Sequence, residues 1–156
     1  MSDGLSETSM NEPDAHRELR PVLPSDDELR SILGSARVIA VVGLSSKPWR
    51  PSNEVGSYLR HKGYRIIPVN PNETEVFGEP AYASLLDVPE PVDAVDVFRR
   101  SEHTPEIAGQ AVRIGAKVLW LQEGVIDKEA YRIATEGGLD VVMGACMMRE
   151  RERLEG

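Results

Sequence analysis

The chain has 156 residues, which is the size of one ordinary domain and enough to bury a hydrophobic core. Its 26 acidic and 18 basic residues give a formal net charge of -8, which excludes a general attraction for nucleic acid or for an anionic membrane. Any anion-binding site must therefore be local. The single cysteine excludes an internal disulfide, and there is no long apolar run and no signal-peptide core. These features predict a soluble, cytoplasmic protein.

The first 24 residues differ in composition from the rest of the chain. Residues 1–24 are polar and acidic, contain three prolines and show no apolar period. They predict a flexible N-terminal extension that is pinned only near its end, by Val22 and Leu23. Residues 25–28 match a capping box, so a short helix should follow and end near Gly34. Residues 25–156 are predicted to form a single domain.

The remainder of the chain alternates between short apolar runs and amphipathic segments. The apolar runs are typical of strands that are covered on both faces: RVIAVVG, YRIIPVN, VDAVDVF, AKVLWLQ and LDVVMG. Helix-start signals lie between them, at Ser52, at Thr104 and Pro105, and at Asp127, and the last residues predict a short terminal helix. This pattern predicts an α/β, Rossmann-like fold with about five parallel strands in the order 3-2-1-4-5 and helices on both faces. A ligand should bind outside the carboxyl ends of the strands, beside strand one.

The segment that joins the first strand to the next helix is unusually long. Residues 44–51 form it, whereas a few residues are normally sufficient. No G-x-G-x-x-G follows Gly43, so the tight turn of NAD-binding proteins is absent. The hydroxyl and cationic side chains of the segment belong to Ser45, Ser46, Lys47 and Arg50. Together with backbone N–H groups they could hold a phosphate. The alternative is a solvated loop with two incidental cations.

The ends of the next three strands carry further candidate contacts. Asn70, which precedes Pro71, stands where NAD-binding proteins commonly place an acidic residue, so a phosphorylated ribose could approach it without charge repulsion. A simple Asn-Pro turn is the alternative. Phe98 could pack on a base or an alkyl arm and Arg99 could pair with phosphate, or they could be a core residue and a solvated cation. Residues 122–125 either contact the ligand or form a turn before the helix that Asp127 caps.

Residues suited to catalysis or metal binding are few. The three histidines have no metal-ligand spacing, and Cys146 has no C-x-x-C partner. His103 could act as a base near the crevice, although a solvated or capping role is the simpler interpretation. Cys146 is interpreted as a buried, inert thiol. No catalytic residue and no metal site is predicted.

Several segments together resemble the CoA-binding domain family. They are VVGLSSKPWRPSNEVGSYLRHKGYRIIPVNP, FGEPAYASLLDVP, VDAVDVFRR, GAKVLWLQEGV and VMGACMM, in that order. The resemblance covers about residues 25–148. It is strongest to the small stand-alone bacterial CoA-binding proteins, which are similar to the N-terminal domain of the succinyl-CoA synthetase α subunit.

The resemblance implies a role for particular residues of this chain. Those placed around the phosphates of coenzyme A are Gly43, Ser45, Lys47 and Arg50. Those placed beside the adenosine are Val69, Asn70 and Pro71. Phe98 and Arg99 lie at the next strand end, and Gln122 and Gly124 lie toward the pantetheine arm. Coenzyme A has a 3′-phosphate as well as a pyrophosphate, which would explain the long first loop.

One departure from the family's synthetases limits what the resemblance implies. Those enzymes carry a phosphorylatable histidine in a second domain and an ATP-binding module, and neither is found in this sequence. We therefore expect a protein that binds coenzyme A or an acyl-CoA without catalysis of its own, with no nucleic-acid or membrane partner. The alternatives are an NAD(P)-linked oxidoreductase, a component of a CoA-transfer enzyme, or an interaction module with a vestigial crevice.

Overall fold

The computed structural model describes residues 20–155. Of the extension predicted over residues 1–24, residues 1–19 therefore lie outside the described range. A parallel five-stranded sheet forms the centre of the fold. Its strands are β1 Val38–Val42, β2 Arg65–Val69, β5 Ala94–Val97, β6 Val118–Leu121 and β7 Asp140–Met143. The helices are α1 Asp26–Ser35, α2 Pro51–His61, α3 Thr104–Arg113, α4 Lys128–Glu136 and α5 Met147–Glu155. The α/β class, the parallel sheet and the Rossmann-like architecture are thus confirmed.

The order of the strands differs from the prediction. The sheet runs β2-β1-β5-β6-β7, which is 2-1-3-4-5 for the five strands of the sheet in chain order, whereas 3-2-1-4-5 was predicted. After β2 the chain returns through a small antiparallel hairpin, β3 Glu75–Val76 and β4 Glu79–Pro80, and a 3₁₀ turn at Leu85–Asp87. This connection sets β5 on the free side of β1. The order in which successive strands are added therefore reverses between β1 and β5, which is the topological switch point of the sheet.

The two faces of the sheet are covered by different helices. Alternate strand residues point to opposite faces. Ile39 and Trp120 pack with α1, α2 and α5 on one face. Ala40 and Leu119 pack with α3 and α4 on the other. Consequently α2, which follows β1, and α3, which follows β5, cover opposite faces. A crevice opens between the start of α2 and the segment that leads from β5 to α3.

Local signals placed most helix starts correctly. The capping box is confirmed: the Ser25 hydroxyl accepts from the Glu28 N–H, and the Glu28 carboxylate accepts from the Ser25 N–H at 2.9 Å. Asp127 caps α4 by accepting from the Ala130 N–H at 2.8 Å. The prediction that Ser52 caps α2 was wrong, because the helix begins one residue earlier, at Pro51, and has no side-chain cap. The Ser52 hydroxyl instead accepts a hydrogen bond from the Ser45 N–H in the preceding loop.

The end of the N-terminal segment is attached to the edge of the sheet. Val22 pairs with Met143 through two backbone hydrogen bonds of 2.8 and 2.9 Å. Leu23, the other predicted anchor, is 52% exposed, so of the two only Val22 is fixed in this way. Within residues 20–155, the helices are too short or too polar to cross a membrane.

Candidate functional site

A crevice of about 640 Å³ opens at the carboxyl ends of β1, β5 and β6. It lies at the switch point between β1 and β5, where open α/β sheets bind ligands. Seven of the twelve predicted site residues line it: Gly43, Ser45, Arg50, Phe98, Arg99, Gln122 and Gly124. The five that do not line it are Ser46, Lys47, Val69, Asn70 and Pro71. Its remaining wall comes from the start of α2 and from residues around the start of α5.

The first loop is held in place by hydrogen bonds to the start of α2. The Ser52 hydroxyl accepts from the Ser45 N–H at 3.0 Å, and the Asn53 amide donates to the Ser45 carbonyl at 2.8 Å. Ser52 and Asn53 are both buried, with 5% and 8% exposure. Because both backbone groups of Ser45 are engaged in this way, the loop approaches the crevice with a defined shape.

A second set of contacts ties the same loop to the segment after β2. The Asn70 amide donates to the Leu44 carbonyl at 3.0 Å, and the Ser46 N–H donates to a Glu73 carboxylate oxygen at 2.8 Å. Val69 is buried, and its carbonyl accepts from the Gly43 N–H at 2.8 Å. Asn70 and Val69 thus hold the first loop in place through hydrogen bonds to Leu44 and Gly43. Their contact with an adenosine stays a prediction.

The lining of the crevice has a net positive charge in an acidic protein, because it contains four arginines against Glu54 and Glu123. Arg50, Arg99 and Arg100 line the crevice and form no ion pair within residues 20–155. A fourth cation, Arg149, pairs with Glu123 at 3.0 Å. The exposed side chain of Lys47 lies on the same loop as Arg50 but outside the crevice wall.

The start of α2 adds to this positive potential. Arg50 occupies the N-cap position without a side-chain hydrogen bond, and Pro51 and Ser52 line the crevice. The partial positive charge at a helix N-terminus favours an anion there. Together with the three unpaired arginines in the lining, the start of α2 makes the crevice suited to phosphate groups.

A buried carboxyl group that was not predicted as a site residue, Asp96, lies behind Gln122, which lines the crevice. The Gln122 amide donates to Asp96 Oδ1 at 2.5 Å. Asp96 is fully buried, and its Oδ2 has no partner within residues 20–155. Burial raises the pKa of Asp96 to about 7, against a lowering by the hydrogen bond from Gln122. The available signal was an acidic residue at an inward position of an otherwise apolar strand run.

Cys146 also lines the crevice and is half-buried, not buried as predicted. Burial raises the pKa of its thiol, against a smaller lowering by backbone N–H groups of Met148 and Arg149. The raised pKa agrees with the prediction of a thiol of low reactivity. Met148 and Arg149 reach the crevice because α5 starts directly beyond β7, a placement that the charged sequence of that helix did not indicate.

The remaining catalytic candidate does not join this site. His103 precedes α3, makes no side-chain capping bond and does not line the crevice. Across residues 20–155, no group of three or more His, Cys, Asp or Glu side chains is arranged to hold a metal ion.

The fold and the crevice define a doubly wound α/β protein with an arginine-lined crevice at its switch point. The sequence model of the family described as CoA binding domain matches residues 37–152. The chain therefore belongs to the CoA-binding domain family.

Similarity to individual proteins supports this family assignment. The uncharacterized protein YneT of Bacillus subtilis is 43% identical over 124 residues, which span 80% of this chain and 92% of YneT. The structure of a hypothetical protein from Pyrococcus horikoshii OT3 is 44% identical, with a TM-score of 0.84 over 88% of this chain and 97% of that chain. The ADP-forming acetate–CoA ligase I of Archaeoglobus fulgidus is 25% identical over 121 residues, which are 71% of this chain but 18% of the ligase. The chain is thus related to small separate proteins and to one part of much larger synthetases.

Proposed function

We propose that this domain binds coenzyme A or an acyl-CoA through the loop after β1, without catalysing a reaction of its own. The observation that carries the proposal is that three unpaired arginines and the uncapped start of α2 line the same crevice at the switch point of the sheet. Membership of the CoA-binding domain family supports the same ligand.

The charge of the crevice fits this ligand better than it fits a dinucleotide with two phosphates. Coenzyme A carries a pyrophosphate and a separate 3′-phosphate, so it has more negative charge to neutralise. Arg50, Arg99 and Arg100 can each supply charge-assisted hydrogen bonds. The position after β2, where an acidic residue would accept hydrogen bonds from an NAD ribose, holds the neutral Asn70.

The test compares ligands by calorimetry and by thermal unfolding. Coenzyme A should bind more tightly than dephospho-CoA or NAD, and a ligand at about 100 times its dissociation constant should add roughly 2.7 kcal/mol of stability. The double variant Arg50→Ala/Arg99→Ala should lose at least about tenfold in affinity, because two charged hydrogen bonds are removed. Arg113→Ala, an exposed arginine at the end of α3, is the matched control and should bind like the unaltered protein.

Other results would redirect the assignment. Tighter binding of NAD or NADP than of coenzyme A would favour the oxidoreductase alternative. An absence of any response to all of these ligands would refute nucleotide binding and favour an interaction module. Equal affinity of the double variant and the control would show that Arg50 and Arg99 do not bind the phosphates.

A further inference from the structure

Asp96 occupies a position in which a carboxyl group is costly. In the sheet its neighbours are Val41 on β1 and Trp120 on β6, and all three residues point to the same face. Asp96 is fully buried, and its Oδ2 has no hydrogen-bond partner among residues 20–155. Buried polar groups that lack a partner destabilise a fold, so such a residue needs an explanation. Its single polar contact, with Gln122, indicates where the explanation lies.

The contact with Asp96 determines which way the Gln122 amide faces. Gln122 Nε2 donates to Asp96 Oδ1 at 2.5 Å. Gln122 is 4% exposed and lines the crevice, and its Oε1 has no hydrogen-bond partner within residues 20–155. With Nε2 engaged by the carboxyl group, Oε1 is the amide atom left for a ligand. The side chain therefore presents an acceptor and no donor.

The distance of Gln122 from Arg50 and Arg99 indicates which part of a bound ligand Gln122 would contact. Gly43 and the first loop follow β1, Arg99 follows β5, and Gln122 follows β6. Adjacent strands are about 4.8 Å apart, so Gln122 lies roughly 10 Å across the sheet from the loop. A ligand whose phosphates lie against Arg50 and Arg99 would pass Gln122 with the portion that extends beyond them.

We propose that Asp96 is a positioning residue that holds the Gln122 amide with Oε1 toward the crevice, where it accepts a hydrogen bond from an amide N–H of the ligand. This inference rests on the proposed function, and in coenzyme A the matching donors are the two amide groups of the pantetheine arm. Without the carboxyl group the Gln122 amide can rotate and present its N–H₂ group, which cannot accept that bond. The role of Asp96 is therefore specificity for a ligand with an amide-bearing arm.

The test uses two probes, coenzyme A and adenosine 3′,5′-diphosphate, which has the phosphorylated nucleoside but no arm. Gln122→Met and Asp96→Leu should each weaken coenzyme A binding by about fivefold to tenfold, the effect of one hydrogen bond. Both variants should bind adenosine 3′,5′-diphosphate as the unaltered protein does, which also shows that they are folded. Asp96→Asn keeps an oxygen that accepts from Gln122 Nε2, so it should recover most of the affinity lost in Asp96→Leu.

The double variant Asp96→Leu/Gln122→Met should be no weaker than Gln122→Met alone, since both changes remove the same interaction. A merely structural role of Asp96 would instead weaken both probes equally, and Asp96→Asn would not restore the preference for coenzyme A. Unchanged affinity of the Gln122 and Asp96 variants for coenzyme A would overturn this inference and leave the proposed function standing. Failure of the unaltered protein to bind either probe would overturn both.

Discussion

A Cβ atom on Gly43 would lie 2.6 Å from the carbonyl oxygen of Phe98. Real Cβ atoms do not approach a backbone oxygen so closely, and Gly43 also has a φ of 91°, in the left-handed region. The ends of β1 and β5 therefore meet at a point where only glycine fits. This close approach shapes the inner end of the crevice, between the first loop and Arg99.

Gly43→Ala should lower the free energy of unfolding by about 2 kcal/mol or more, since it combines left-handed strain with a backbone clash. It should also weaken coenzyme A binding, because the β1 and β5 ends must move apart. Urea unfolding and calorimetry measure the two effects. Gly109→Ala is the control: nothing lies within 4 Å of its added Cβ, and the site is inside α3, so stability should stay equal or rise. Equal stability of the two variants would contradict the steric argument.

Ser52→Ala should lower coenzyme A affinity by a few-fold and stability by about 1 kcal/mol, the value of one hydrogen bond. The lost bond runs from the Ser45 N–H to the buried Ser52 hydroxyl and fixes the loop before any ligand arrives. Ser57→Ala, at an exposed position of the same helix, is the matched control. If both serine variants bind coenzyme A equally well, the loop does not depend on Ser52 for its shape.

The pH dependence of the free energy of unfolding should reflect the titration of Asp96. Its pKa is about 7 in the folded protein against the ordinary 3.8, so the folded state holds a proton that the unfolded chain releases between these values. The stability associated with the protonated group is complete below about pH 4 and is lost as the pH rises through 7. Asp96→Asn removes this loss. Its free energy of unfolding relative to the unaltered protein should therefore rise by up to about 4 kcal/mol between pH 4 and pH 8.

Urea unfolding of both proteins at several pH values measures this difference, and other carboxylates cancel from it. Cys146, the titratable group that interacts with Asp96, has a raised pKa and stays protonated over this range, while Val41 and Trp120 beside Asp96 carry no charge. A difference that does not change with pH would show that Asp96 titrates normally.

The Cys146 thiol should react slowly with a disulfide reagent at pH 7.5, because burial raises its pKa and thiolate is the reactive form. The same protein unfolded in urea provides the unhindered rate. Since Cys146 lines the crevice, saturating desulfo-CoA, which has no thiol of its own, should slow the reaction further. A folded-state rate equal to that in urea would contradict the environment described for this thiol.

Features that depend on neighbouring residues were predicted well. The capping box at Ser25, the Asp127 cap and the positions of the five strands follow from hydrogen bonds and apolar periods that span only a few residues. The long first loop was likewise visible as an unusual spacing with hydroxyls and cations. The predicted cap at Ser52 failed because its hydroxyl bonds with Ser45, which lies seven residues earlier in the loop.

The strand order and the inner wall of the crevice were decided by contacts between distant segments. Apolar runs that are covered on both faces do not encode which side of β1 receives β5, since either side would bury them equally well. Asp96 meets Gln122 across 26 positions of the chain, and Glu73 meets Ser46 across 27. The sequence by itself therefore determined the local elements and the length and composition of the first loop. Only the packed sheet decided which carboxyl group stands behind Gln122, because that pairing exists only once β5 and β6 lie side by side.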